Sequence, residues 1–311
     1  MIEGRSCPLH YRRTPEALQR PGDAQLRSLI VAGGLYGNAE ALKSLEGLAA
    51  EMGDTLCFNG DVHWFDADAD LFTRVEEASA RHWRTAGNVE LELAAASGAG
   101  CGCAYPETVP ERFVERSNRI MEALQPVVAT GQRDDLAHLP LDARFDVGDL
   151  RVGVVHGDPE SIAGWGLAVE AAEADPLGFR RQLADWFCRA DVDVLACAHT
   201  CLPHARRLTV AGRECVLINN GSAGMGNFGG DPRGLVTRIA ATPSPQALYR
   251  TRLGDWTVEA VPVAFELDAW REWFEALWPA GSAAALNYGA RIVAGPFFDR
   301  ERACGAGFEP G

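Results

Sequence analysis

Four short runs in this chain, DTLCFNGD, HWRTAGN, RVGVVHGD and DVDVLACAHT, end at or beside a polar side chain: Asp61, Asn88, His156 and His199. Each of the four stands beside a small residue, Gly60, Gly87, Gly157 or Ala198. Apolar runs of this length read as buried strands. Loops that leave the C-terminal ends of strands in an α/β sheet converge on one crevice. The pattern restricts the chain to a fold that gathers one carboxylate, one amide and two imidazoles. That mixed set of oxygen and nitrogen donors suits Mn, Fe, Zn or Ni better than Ca.

The stretches between these strands alternate in period. SLIVAGG is a further buried strand, and Ala41, Leu42, Leu45, Leu48, Ala49 and Met52 then follow helical spacing, with Asn38 placed to cap the helix. Leu71, Phe72, Val75 and Ala78 mark a second helix, and Phe113, Ile120, Met121 and Leu124 a third. ELAAASGAGCGCAYPETVP, rich in small residues, reads as a loop or insertion. Later the pattern turns to hairpins, ARFDVGDLRVGVVHGD and HARRLTVAGRECVLINNGSAG, with more strands near 235–241 and 248–264. Leu267, Trp270, Phe274 and Leu277 give one closing helix and 283–294 a second. Helices alternating with strands early and hairpins late predict an α/β sandwich with two mixed sheets flanked by helices. Residues 1–27 and 297–311 are expected to be peripheral, with 97–140 inserted as a cap in a domain over 28–296.

The formal charge of −14 argues against a general nucleic-acid binder and against docking on anionic membranes. It leaves room for a small phosphorylated molecule, and a homo-oligomer is compatible with it. Nine scattered cysteines suggest a reduced, cytoplasmic protein rather than a disulfide framework. The first residues, MIEGRSCPLHYRR, have no apolar signal core.

Taken in order, GN, GD, GN, HG and AHT at these spacings resemble the calcineurin-like metallophosphoesterases, nearest their bacterial branch of small phosphatases and phosphodiesterases. The resemblance runs from about Ser28 to about Pro296 and includes LINNGSAG and LNYGARIVAGP. It implies two metals about 3.5–4 Å apart and in-line hydrolysis at phosphorus. It also implies that Asp61 bridges the metals while Asn88, His156 and His199 complete the second site. The first site departs from the pattern. Gly34 and Tyr36 stand where an aspartate and a histidine are expected, and Cys201 where a second late histidine is expected. Val89 stands where a histidine would help the leaving group depart. One ion rather than two is therefore expected.

Tyr36 and Cys201 could rebuild the first site as phenolate and thiolate ligands, and His63 could join them; Asp61, His63 and Tyr36 are the candidate catalytic groups. Alternatively Tyr36 fills space, Cys201 is a packed thiol and His63 lies on the surface. Cys101 and Cys103 form a C-x-C pair that is either a flexible loop with two thiols or, with Cys201, a metal or redox centre. His204 is expected behind the ligands or on the surface. None of Arg116, Arg119, Arg206 and Arg207 is assigned to phosphate. The expected function is a metal-dependent phosphoester hydrolase. The alternatives are a non-hydrolytic scaffold of the same fold and different chemistry at a Tyr/Cys-containing site.

Overall fold

The structure, a computed structural model, describes residues 2–95 and 97–311. Two mixed sheets face each other. The first has seven strands: β2 (Ser28–Ala32), β3 (Thr55–Asn59), β4 (Trp83–Thr85), β10 (Gly234–Ala240), β11 (Tyr249–Leu253), β12 (Trp256–Val263) and β13 (Glu309–Pro310), ordered β13-β11-β12-β10-β2-β3-β4. The second has six: β1 (Ala24–Leu26), β5 (Asp142–Val147), β6 (Leu150–Val155), β7 (Val194–Cys197), β8 (His204–Val210) and β9 (Arg213–Asn219), ordered β1-β5-β6-β7-β9-β8. Leu29, Val31 and Cys57 from the first sheet meet Phe145, Val154, Val194 and Ile218 from the second, forming a core between the layers.

Helices cover the outer faces. On the first sheet lie α1 (Ala39–Met52), α2 (Ala69–Ser79) and α8 (Leu267–Leu277). Asn38 caps α1, its side chain accepting from the Ala41 N–H at 3.0 Å, and Gly53 ends it in the left-handed conformation. The second sheet is covered by α7 (Pro176–Ala190), whose Leu183, Trp186, Phe187 and Ala190 pack on it. The short α6 (Val169–Ala174) precedes α7. A third group closes one end: α3 (Asn88–Ala95), α4 (Glu111–Leu124), α5 (Thr130–Ala137) and α9 (Ala283–Ala294) share an aromatic-rich cluster with Phe65, Phe72, Trp270 and Phe274. The last helix, α10 (Arg300–Ala303), lies near the C-terminus.

Within the first sheet β2, β3 and β4 are parallel; within the second β6, β7 and β9 are. Their C-terminal ends meet at one seam. Buried asparagines bolt it: Asn59 Nδ2 donates to the Val155 carbonyl at 2.8 Å, and Asn220 exchanges hydrogen bonds with Gly33. Both chain ends, expected to be peripheral, are built in. Ala24–Leu26 pairs with β5, Tyr11 is fully buried, and Glu309–Pro310 pairs with β11. Helix α3 starts where a strand end and loop were expected, because Asn88 follows β4 by only two residues. No helix among the described residues is long and apolar enough to cross a membrane.

Candidate metal centre

Asp61 follows Gly60 directly after β3, and both residues have positive φ, 52° and 71°. Glycine is required at 60 and 87 by proximity. A Cβ on Gly60 would stand 2.4 Å from His156 Nδ1, and one on Gly87 2.5 Å from Asp61 Oδ1. The aspartate can carry left-handed strain because its loop is clamped. The buried Glu90 carboxylate accepts N–H bonds from Asp61 and Gly87 at 2.8 Å and from Val62 at 2.9 Å. Glu90 was not singled out in the sequence; the signal available was an acid two residues after Asn88, in the first turn of α3.

Four side chains then converge. His156 Nε2 lies 3.3 Å from Asp61 Oδ1, 3.3 Å from Asn88 Oδ1 and 3.2 Å from His199 Nδ1. The other polar atom of three of them is committed elsewhere. His156 Nδ1–H donates to the Asn59 carbonyl at 2.8 Å, His199 Nε2–H to the Cys103 carbonyl at 3.2 Å, and Asn88 Nδ2 to the Cys101 carbonyl at 2.9 Å. Those bonds fix the tautomers, so four lone pairs point at one another in a buried place. Asp61, His156 and His199 hold their donor atoms within 4.8 Å of one another. Such an arrangement repels itself unless a cation or a proton stands at its centre. Donor separations of about 3.3 Å are also what bonds of about 2.0–2.1 Å span at a tetrahedral angle. The donor set fits a divalent transition metal.

The titration of the bare cluster agrees. Burial and the neighbouring His156 push His199 down to about 3. Burial disfavours charge on both Asp61 and His156 as well, yet each favours the other: Asp61 is held below its usual range and His156 above its own.

On the other side of the expected site Tyr36 and Cys201, which also line the cavity beside Asp61, touch each other. The Tyr36 hydroxyl lies 2.9 Å from Cys201 Sγ, and the thiol also reaches the His199 carbonyl at 3.2 Å. A Cβ on Gly34 would lie 2.6 Å from the Tyr36 hydroxyl oxygen, so the phenol fills the space that a side chain at 34 would need. Burial raises both the phenol and the thiol, which keeps them protonated. Cys201 does not belong to the cluster of mutually close donors. Tyr36 and Cys201 both take left-handed backbone, φ 59° and 62°, a conformation a tyrosine rarely accepts.

Other candidates lie elsewhere. His63 is neither on the surface nor at the centre. Its Nδ1 bonds Asp66 at 2.6 Å, its Nε2 bonds Glu76 at 3.0 Å, and its ring stacks on Phe72 at 3.7 Å. Cys101 and Cys103 are buried; their carbonyls accept from Asn88 and His199, and Cys103 Sγ also lies 3.6 Å from Asn88 Nδ2. His204 is buried in β8 beside Phe179, neither ring nitrogen having a hydrogen-bond partner among the described residues. Arg291, not anticipated, lines the cavity and donates to the Cys201 carbonyl at 2.6 Å and the Gly226 carbonyl at 2.9 Å.

The donors open on a cavity of about 340 Å³ lined by Trp64, Tyr105, Phe113, Trp165 and Tyr288, besides Asp61, Asn88 and His199. No family model matches the sequence, and no curated protein does. Solved structures do match. A metallophosphoesterase from Sphaerobacter thermophilus is 17% identical with a TM-score of 0.55, over 86% of this chain and 100% of the other. The hypothetical protein PH1004 from Pyrococcus horikoshii OT3 is 14% identical with a TM-score of 0.56, over 87% of this chain and 99% of the other. At these identities the likeness is one of fold.

Proposed function

We propose that this chain, which has the calcineurin-like metallophosphoesterase fold, is a metal-dependent hydrolase of small phosphoesters that works with a single divalent transition metal. Asp61, Asn88, His156 and His199 would hold the ion, which could be Zn, Mn, Fe or Ni. The observation that carries this reading is the convergence of four buried donor groups, three of which, His156, Asn88 and His199, have their N–H groups spent on the Asn59, Cys101 and Cys103 carbonyls. A bound divalent ion would supply Lewis acidity toward a phosphoryl oxygen and would acidify water. The chain's own residues do the rest. Gly60 and Gly87 allow the approach of ligands, Glu90 holds the Asp61 turn, and Tyr36 and Cys201, bonded to each other, would stand on the side of a second ion without offering it a charged ligand.

The same contact favours a second reading, a scaffold that binds a metal without hydrolysis. Metal analysis by mass spectrometry tests the common premise: one equivalent per chain is expected, lost in Asp61→Asn. A native protein purified without chelator that retains no metal and takes up none would refute both readings. A panel of phosphomonoesters and phosphodiesters with added Mn, Fe and Zn separates them. Turnover that Asp61→Asn abolishes supports the hydrolase, and one metal per chain with no turnover supports the scaffold.

A further inference from the structure

The walls of the cavity are unusually aromatic and their rings are fixed. Trp165 stands edge-on to the ligand His199, ring centres 5.5 Å apart, and its Nε1–H donates to the same Cys103 carbonyl that orients His199. Tyr105 meets Trp165 and Phe113, each at 5.8 Å, and its hydroxyl reaches Ser117 Oγ at 3.2 Å. Phe113 meets Tyr288 at 5.6 Å. An aromatic wall therefore runs outward from the metal ligands without a break, and edge-to-face packing of this kind favours another ring.

Charge excludes the commonest alternative. Among the described residues that line the cavity, Arg291 is the only cation, against two carboxylates, Asp61 and Glu170. Two of the Arg291 nitrogens are already engaged by the Cys201 and Gly226 carbonyls and by Ser222. Such a lining does not serve a polyphosphate tail. Size agrees: an apolar cavity of about 150 Å³ takes up benzene, so about 340 Å³ holds a phosphoryl group and one or two rings.

We propose that this cavity is a subsite for an uncharged aromatic group, the aryl end of a phosphoester whose phosphoryl group lies against Asp61, Asn88, His156 and His199. The phosphoryl end rests on the hydrolase reading; the ring subsite does not. In the reaction a water oxygen forms the new bond to phosphorus, and the P–O(aryl) bond breaks with its electron pair leaving on the aryl oxygen. The products are the phenol, or phenolate, and the phosphate; the protons of the water go to these and to solvent. The lining suits such a leaving group. Its one imidazole, that of His199, has its Nε2–H spent on the Cys103 carbonyl. An aryl oxide departs without the proton that an alkoxide needs.

Titration calorimetry with 2-naphthol and, as a non-aromatic control, hexan-1-ol tests the subsite on the full chain, with and without metal. The expected result is binding of 2-naphthol in both states, at least about tenfold tighter than hexan-1-ol, and weakened about tenfold in Phe113→Ala. Phe113 is only partly buried, and Val109→Asp, in the cavity mouth, gives an independent second variant. No binding of 2-naphthol, or binding that neither variant changes, would overturn the subsite. Hydrolysis of 2-naphthyl phosphate and hexyl phosphate forms the second arm. Phe113→Ala is expected to raise KM for the aryl ester several-fold more than that for the alkyl ester. Equal effects on both esters would overturn the aryl assignment. If 2-naphthol binds as expected while neither ester turns over with any metal, the hydrolase reading fails and the subsite stands.

Discussion

At the scale of single residues, the centre is defined by pairs of compensating changes. Gly34 and Tyr36 are one such pair, because the phenol stands 2.6 Å from where a Cβ at 34 would be. Gly34→Asp alone is therefore expected to destabilise the fold by about 1–3 kcal/mol, as overpacking does, and to leave the metal content at one. The triple change Gly34→Asp, Tyr36→His and Cys201→His is expected to raise it to two; chemical denaturation and metal analysis check both. His63 permits a prediction about pH. Burial opposes its charge, but Asp66 and Glu76 outweigh burial and carry its pKa up to about 9. The folded value lies above the ordinary 6.5, so the stabilisation is fully present below about pH 6.5 and is lost as pH rises through about 9. The difference between native protein and His63→Gln should shrink by about 3 kcal/mol across that window, measured by urea unfolding; a constant difference would refute the charged triad. Asp61, Asn88, His156 and His199 were legible because each follows a strand within three residues and stands beside a small residue, although Asn88 itself opens helix α3. Tyr36 and Cys201 were visible as departures, yet their mutual contact was not, since 165 residues separate them.

At the scale of elements, the C-x-C loop acts through its backbone. Its two cysteine carbonyls orient Asn88 and His199, and it is held by the N-terminal segment, whose Gly4 N–H donates to the Ala99 carbonyl at 2.7 Å while the Tyr105 N–H donates to the Gly4 carbonyl at 2.8 Å. Gly102, between the cysteines, has φ +67°, and a Cβ there would lie 2.3 Å from the Tyr11 hydroxyl oxygen. Gly102→Ala is expected to shift both carbonyls and to weaken metal binding about 10- to 100-fold, the usual effect of disturbing groups behind the ligands, with the fold retained. Competition with a chromophoric chelator measures this; unchanged affinity would remove the loop from the centre. Helix α3 escaped the sequence pattern because Asn88 to Leu93 are all buried, so no polar face marks its period. Helix α7 was missed despite clear signals: Asp175 caps it, Pro176 opens it, and Leu183, Trp186, Phe187 and Ala190 share one face. Strand β1, three residues long, is too short for alternation to mark it.

At the scale of the whole molecule, the alternation of strands and helices followed by hairpins was enough to infer two mixed sheets, whereas the pairing of both chain ends into those sheets depends on contacts that no local pattern encodes. Asp61 and Asn88 leave the first sheet while His156 and His199 leave the second. That division has a consequence for the order of synthesis. Strand β2, the first long strand made, lies between β3 and β10, so one edge waits for residues 234–240, which follow all four ligands in the chain. A ribosome can therefore finish every ligand while the sheet bearing two of them still lacks its central neighbour. A chain ending at residue 233 should take up little metal and be digested rapidly by protease, and a full equivalent held by that fragment would refute this. Metal capture would then wait on the pairing of β10 with β2, a step that comes after the last of these four residues has been made.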